Sequence, residues 1–135
     1  MKLSYKIPGG SYTVLFDESA GATLLAEFTP GFKSITQQEP LAGSTNQFRT
    51  ARSNITADHP LMFNQEYASR ALSLASVRTF AALLNTKVHL KVEEGAEVQF
   101  YPNAIASSYQ PRLMGVSADH AMQFTSDTVQ TTDPT

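Results

Sequence analysis

The sequence ITADHPLMF (residues 55–63) returns in similar form as VSADHAMQF (residues 116–124). Each segment reads as a β-branched residue, a hydroxyl residue, Ala-Asp-His, three variable positions and Phe. Apolar and polar residues alternate through the second segment, and this alternation is typical of a half-buried β-strand. One face of the predicted strand carries Val116, Ala118, His120, Met122 and Phe124, and the other carries Ser117, Asp119 and Gln123. The segment therefore predicts a strand with a histidine on its apolar face.

The two Asp-His pairs raise the question of a metal or acid–base site. Neighbouring side chains on a strand point to opposite faces, so Asp58 diverges from His59 and Asp119 from His120. Each segment could offer one ligand to a common site, whereas zinc takes three or four. A general base also needs an orienting group within hydrogen-bond reach. We expect partly buried, hydrogen-bonded histidines, no metal, no cofactor and no catalytic residues.

The flanks of the two segments argue against a duplicated domain. RTARSN precedes the first segment and QPRLMG precedes the second, and these stretches do not align. A true repeat would extend further on both sides. A shared requirement for one apolar strand face is enough to explain the similar sequences of the two segments.

Composition bounds the class of protein. The chain has 135 residues, of which 41% are hydrophobic, and this suits one domain (residues 1–135) with one core. A net charge of −2 and 16% charged residues give no basic footprint, so we expect no nucleic-acid specificity. Cysteine is absent, which excludes disulfides and thiolate ligands. No apolar run has the length of a membrane span or a signal peptide, and we expect no membrane partner.

The remaining periodicity is mostly β. Residues 11–28 read as a hairpin, residues 32–37 as a third strand, and residues 87–100 as a second hairpin with a polar outer face. YASRALSLASVRTFAALLN carries the one helical pattern, at about residues 67–84. The fold class predicted is mainly β (α+β): an antiparallel β-sandwich or partly closed barrel with one flanking helix.

Two segments carry little apolar content. Residues 38–48 combine Pro, Gly, Ser, Thr and Asn and are predicted to form a long loop. Residues 126–135 are predicted to form a polar C-terminal tail.

The order of elements from Arg52 to Val129 resembles that of bacteriophage tail proteins, in particular tail tube-like and minor tail subunits. A strand leads into FNQEYASRALSLASVRTFAALL, a hairpin follows in KVHLKVEEGAEVQFYPNAIASSYQPRLMG, and an alternating strand comes last. The resemblance rests on this order and on a few residues, namely Arg70, Ala71, Phe80, Leu83 and Leu84.

The resemblance implies a virion structural protein without enzymatic activity. Such a subunit assembles into a hexameric or trimeric ring with itself and contacts other tail proteins, and its long loop reaches a neighbouring subunit. The residues that would lie at that interface are Gln38, Leu41, Gln47, Phe48 and Arg49.

Two other classes of function stay open. A β-sandwich that binds carbohydrate would need an exposed aromatic platform, for which Phe100, Tyr101 and Tyr109 are the candidates, although the chain has no Trp. A small hydrolase or metal enzyme would need His59 and His120 to converge on one point with an Asp.

Overall fold

The described part of the chain folds mainly as β-structure with one helix, as the sequence predicts. The computed structural model describes the backbone of residues 1–40 and 47–135, and the side chains of residues 1–33 and 55–135. The strands are β1 (Lys2–Lys6), β2 (Thr13–Asp17), β3 (Ala22–Leu24), β4 (Gly31–Pro40), β5 (Gln47–Glu66), β6 (Lys87–Glu94), β7 (Glu97–Met114) and β8 (Ser117–Asp127). The helix α1 spans Arg70–Ala81, and a single 3-10 turn covers Glu18–Ala20.

All eight strands belong to one antiparallel sheet. The order across it is β2-β1-β6-β7-β8-β5-β3, and β4 pairs with the part of β5 that β3 leaves free. The strands β2 and β3 lie at opposite ends of this order, yet only residues 18–21 connect them. The sheet must therefore curl until its two ends meet, and the Phe16 and Phe63 rings touch across the gap with centroids 5.1 Å apart. The curled sheet is sandwich-like and does not close into a barrel.

The two similar segments pair with each other at the centre of the sheet. Three pairs of inward-facing residues lie opposite one another: His59 with Phe124, Leu61 with Met122, and Phe63 with His120. Because His and Phe stand four positions apart in both segments, antiparallel pairing sets the histidine of each strand against the phenylalanine of the other. The pair thus has a local two-fold pseudosymmetry centred on Leu61 and Met122.

The same pseudosymmetry holds on the outer face of this pair. Asp58 lies opposite Thr125 and accepts a hydrogen bond from its hydroxyl at 3.1 Å. Asp119 lies opposite Asn64 and accepts one from its side-chain amide at 2.7 Å. The similar sequences of the two segments therefore correspond to similar roles in one ladder. In each strand the histidine points inward and the aspartate points outward.

The core fills the inside of the curl. Its largest fully buried side chains include Phe16, Phe63, Phe124, Leu3, Leu61 and Leu90. The helix α1 closes one end by inserting Phe80, whose ring lies 5.9 Å from that of Phe63. The Ser69 hydroxyl caps the helix by accepting from the backbone N–H of Leu72 at 3.3 Å, which explains why the helix begins later than the apolar pattern.

Four predictions about the elements are wrong. Residues 11–28 are not a hairpin, because β2 pairs with β1 and β3 pairs with β5. Val116 is exposed, since the β8 pattern starts only after the turn at Gly115. The predicted loop 38–48 overlaps two strands: residues 38–40 end β4, residues 47–48 begin β5, and 41–46 lie outside the described residues. The tail begins at Thr128, because residues 126–127 complete β8.

The centre of the β5–β8 ladder gives a direct test of this architecture. Leu61→Ala removes a fully buried side chain beside Met122 and should lower the free energy of unfolding by about 3 kcal/mol. Met62→Ala is the matched control, because Met62 is the next residue on the same strand, lies on the outer face and is 43% exposed. Urea unfolding of both variants measures the difference, and equal losses would contradict the assignment of faces.

Candidate interaction surface

His120 lies on the face that the alternation of β8 predicts, and His59 lies on the same face of β5. His59 and His120 are both buried on the inner face, and Asp58 and Asp119 point outward. The histidines are four residues apart along the β5–β8 ladder, or about 13 Å. They do not converge, and no group of three or more potential metal ligands occurs in the described part of the chain.

Two tyrosines hold both nitrogens of His120. The Tyr109 hydroxyl lies 2.7 Å from Nδ1, and the Tyr67 hydroxyl lies 3.0 Å from Nε2. A neutral imidazole has one donor and one acceptor nitrogen, so one tyrosine donates to the ring and the other accepts from it. The Phe80 ring packs edge to face with the His120 ring, and the two ring centroids are 4.4 Å apart. Burial lowers the pKa of His120 to about 4, so the ring is neutral at pH 7.

Among the residues whose side chains are described, one hydrogen bond holds the His59 side chain. The Ser126 hydroxyl donates to the backbone carbonyl of Asp127 at 2.8 Å and therefore accepts from Nε2–H of His59 at 2.7 Å. The Nδ1 atom of His59 has no hydrogen-bond partner among the described residues. The Tyr101 ring packs edge to face with the imidazole, and the two ring centroids are 4.2 Å apart. Burial lowers the pKa of His59 to about 4 as well. Both rings therefore act as polar members of the core.

The aromatic candidates for a carbohydrate platform face inward or lie under other groups. Tyr101 and Phe100 are buried, and Tyr109 is half-buried with its hydroxyl on His120. These three rings do not form an exposed surface.

The clearest unpaired surface belongs to a two-stranded arm. The strand β5 pairs with β8 only from Thr56 onward. Within the described chain, residues 47–50, 54 and 55 pair with β4 alone, and the register shifts between Thr50 and Asn54. Residues 31–40 and 47–55 make up this β4–β5 arm. A two-stranded ribbon in water is marginal by itself, and its free edges present unpaired backbone donors and acceptors.

The base of the β4–β5 arm is apolar. Phe32 is 56% exposed and Ile55 is 48% exposed, and each lies where the ribbon leaves the sheet. An exposed Phe and an exposed Ile beside free backbone groups are typical of a surface that another strand covers.

The residues predicted to form an interface fall on this arm. Gln38 lies opposite Arg49, Glu39 opposite Phe48 and Pro40 opposite Gln47 in the ladder. Leu41 lies outside the described residues. The backbone pairing brings the other four together at the outer part of the β4–β5 arm. The alternation of residues in FKSITQQ (residues 32–38) predicts the first strand of this arm.

A second apolar surface lies at the opposite end of β5. The turn between β7 and β8 packs against the start of α1, where Tyr67 N–H donates to the Val116 carbonyl at 2.9 Å. Leu113, Met114 and Val116 lie at this turn, are exposed and define the distal patch. Ile55 and Glu66 mark the two ends, which are about 36 Å apart along the strand. The molecule thus has an unpaired arm at one end and an apolar patch at the other.

The buried histidines make the stability of the fold depend on pH. Both have a folded pKa of about 4 against 6.5 when exposed, so the unfolded chain binds protons more readily than the folded one. The contribution of the two neutral histidines to the free energy of unfolding is fully present above pH 6.5. It should be lost as the pH drops towards 4, by on the order of 3 kcal/mol for each histidine. Urea unfolding at several pH values measures the loss. An NMR titration in which either folded imidazole protonates near pH 6.5 would contradict it.

Among the described residues no helix combines the length and apolar character that a membrane span requires. Comparison of the chain with known protein families and with curated proteins finds no match to either.

Proposed function

We propose that this protein is a non-enzymatic structural subunit of a phage tail, of the tail tube-like kind, that assembles into a ring. The observation that carries the proposal is the β4–β5 arm, in which residues 47–55 lack a second neighbouring strand among the described residues. The order of strand, helix, hairpin and last strand, which resembles that of tail proteins, supports the choice of assembly. The virion is the location that goes with it.

The subunit contact in this proposal is strand addition. A neighbouring copy lays a strand against the free edge of the arm, where backbone hydrogen bonds supply affinity. The contact also covers Phe32 and Ile55, which together remove apolar surface from water. The neighbour completes a ribbon that is marginal alone.

The distal patch gives the contact a direction. An arm at one end and an apolar patch at the other are different surfaces, so copies meet head to tail. A head-to-tail interface closes into a ring when its rotation divides a full turn, and otherwise gives a filament. Tail tubes need both kinds of repetition, around a ring and between rings.

Charge on the base of the arm tests the proposal. Ile55→Lys places an ammonium where the neighbouring strand would pack, so it should shift the protein to monomers, while the exposed position keeps the loss of folding stability small. Met62→Lys is the matched control, because Met62 is similarly exposed on the same strand but lies away from the arm. Light scattering after size-exclusion chromatography and negative-stain microscopy report the assembly.

Two results would count against the proposal. One is a wild-type protein that stays monomeric at high concentration and forms no ring or tube with or without other tail proteins. The other is an Ile55→Lys protein that assembles as well as the Met62→Lys control.

A further inference from the structure

The last eight residues return to the sheet after β8 ends. Gln130 and Phe100 exchange both backbone hydrogen bonds at 2.9 Å, and Asn103 donates to the Asp127 carboxylate at 2.7 Å. This part of the tail continues the β8 register along β7. Most of its side chains are exposed.

Asp133 in this tail occupies a cationic recess on the outer face. Its carboxylate Oδ1 accepts from Lys6 Nζ at 2.9 Å and from the Tyr12 hydroxyl at 2.7 Å. The Lys6 ammonium lies 4.7 Å from the centre of the Tyr12 ring, and the Lys91 ammonium lies 5.3 Å from it. The Phe100 ring packs 6.4 Å from that of Tyr12. Lys6, Tyr12, Lys91 and Phe100 together define the Lys6–Tyr12 recess.

The two sides of this contact differ in burial. The Lys6 side chain is 10% exposed, whereas that of Asp133 is 53% exposed. A nearly buried ammonium requires a partner, because leaving it unpaired costs far more than leaving an exposed carboxylate unpaired. The recess belongs to the folded body, while the carboxylate comes from a superficial segment. This is the relation of a binding site to a peptide ligand.

The carboxylate is well suited to this recess. Hydrogen bonds from Tyr12 and then Lys6 lower the pKa of Asp133 below its ordinary value, which keeps it ionised. A charge-assisted hydrogen bond to a buried ammonium is among the stronger polar contacts in proteins.

We propose that the Lys6–Tyr12 recess is a docking site for the C-terminal segment of a second copy of this chain. The tail fills it in cis in a lone chain, and in the assembly the tail of a neighbouring subunit takes the same place. The proposal rests on the proposed function, because it requires copies held side by side. Exchange of an identical segment keeps every contact and adds a link between subunits, so it costs little energy.

Zero-length cross-linking of the wild-type chain tests this proposal. A water-soluble carbodiimide condenses the Lys6 amine with the Asp133 carboxylate to an amide, and the water lost is taken up by the reagent as a urea. Chains labelled with nitrogen-14 and nitrogen-15 are mixed in equal amounts in denaturant, refolded at high concentration and separated by size. Each fraction is then cross-linked and digested, and mass spectrometry identifies the isotopes at the two ends of each Lys6–Asp133 link.

The proposal expects links of mixed isotope in the assembled fraction, at about half of the total for random pairing, and links within one isotope in the monomer fraction. Assemblies with links of one isotope only would overturn the exchange and leave the proposed ring function standing. Failure to form any assembly would overturn both. Mixed links in small oligomers that never form a ring would support the exchange and contradict the ring.

A variant gives a second measurement. Asp133→Asn removes the carboxylate that the reagent couples to Lys6, so the link of mixed isotope at Lys6 should be lost from the assembled fraction. Glu27→Gln is the control, because it removes one exposed carboxylate from another surface and should leave that link unchanged. A mixed-isotope link at Lys6 that persists in Asp133→Asn would contradict docking of Asp133 from a second copy.

Discussion

The ladder between β5 and β8 is the constraint on which the rest of the structure depends. It sets His59 against Phe124 and Phe63 against His120, and so places four rings on the inner face around Leu61 and Met122. The helix packs on this group through Phe80, and β2 meets it through Phe16. A slip of one residue in either strand would turn the histidine of that strand outward and its aspartate inward, which would bury a carboxylate. The register is therefore fixed from both faces of the sheet.

The same ladder determines where β5 loses its second neighbouring strand among the described residues. The strand β8 ends at Asp127 and its continuation follows β7, while β5 extends nine residues beyond the last β8 partner at Thr56. The strands β5 and β8 therefore diverge beyond Thr56 and Asp127. The β4–β5 arm leaves the sheet there, and one edge of β5 has no neighbouring strand among the described residues. A tail that seats its aspartate on a buried lysine follows from the same divergence, because it runs along β7 rather than β5.

The alternation of apolar and polar residues correctly predicted which face of a strand points inward. It did not predict which strands pair with each other. The alternation in residues 117–124 predicted the inward His120 and the outward Asp119, since a period of two is a property of the strand itself. The hairpin predicted at 11–28 failed because a turn signal identifies where the chain reverses and not which strand it pairs with. The partners of β2 and β3 lie elsewhere in the chain. The reciprocal pairing of the two similar segments was equally hidden, because it joins residues about sixty positions apart.

The candidate surface could be predicted only in part. The resemblance to tail proteins pointed to residues 38–48, and four of the five residues named there lie on the arm ladder. The polar composition of that stretch predicted a loop, whereas β4 and β5 extend into it from both sides. The recess for Asp133 left no sequence signal, because Lys6, Tyr12 and Asp133 come together only through the folded sheet.

If the β4–β5 arm gains its second strand from a neighbouring subunit, as we propose, amide hydrogen exchange in the arm must slow when the protein assembles. In dilute monomer the amides of residues 47–55 should exchange rapidly while those of residues 56–66 are protected by β8. In the assembled protein, exchange in residues 47–55 should slow by at least about tenfold while exchange in residues 56–66 changes little. Equal exchange of residues 47–55 in monomer and assembly would show that no neighbouring strand pairs with the arm.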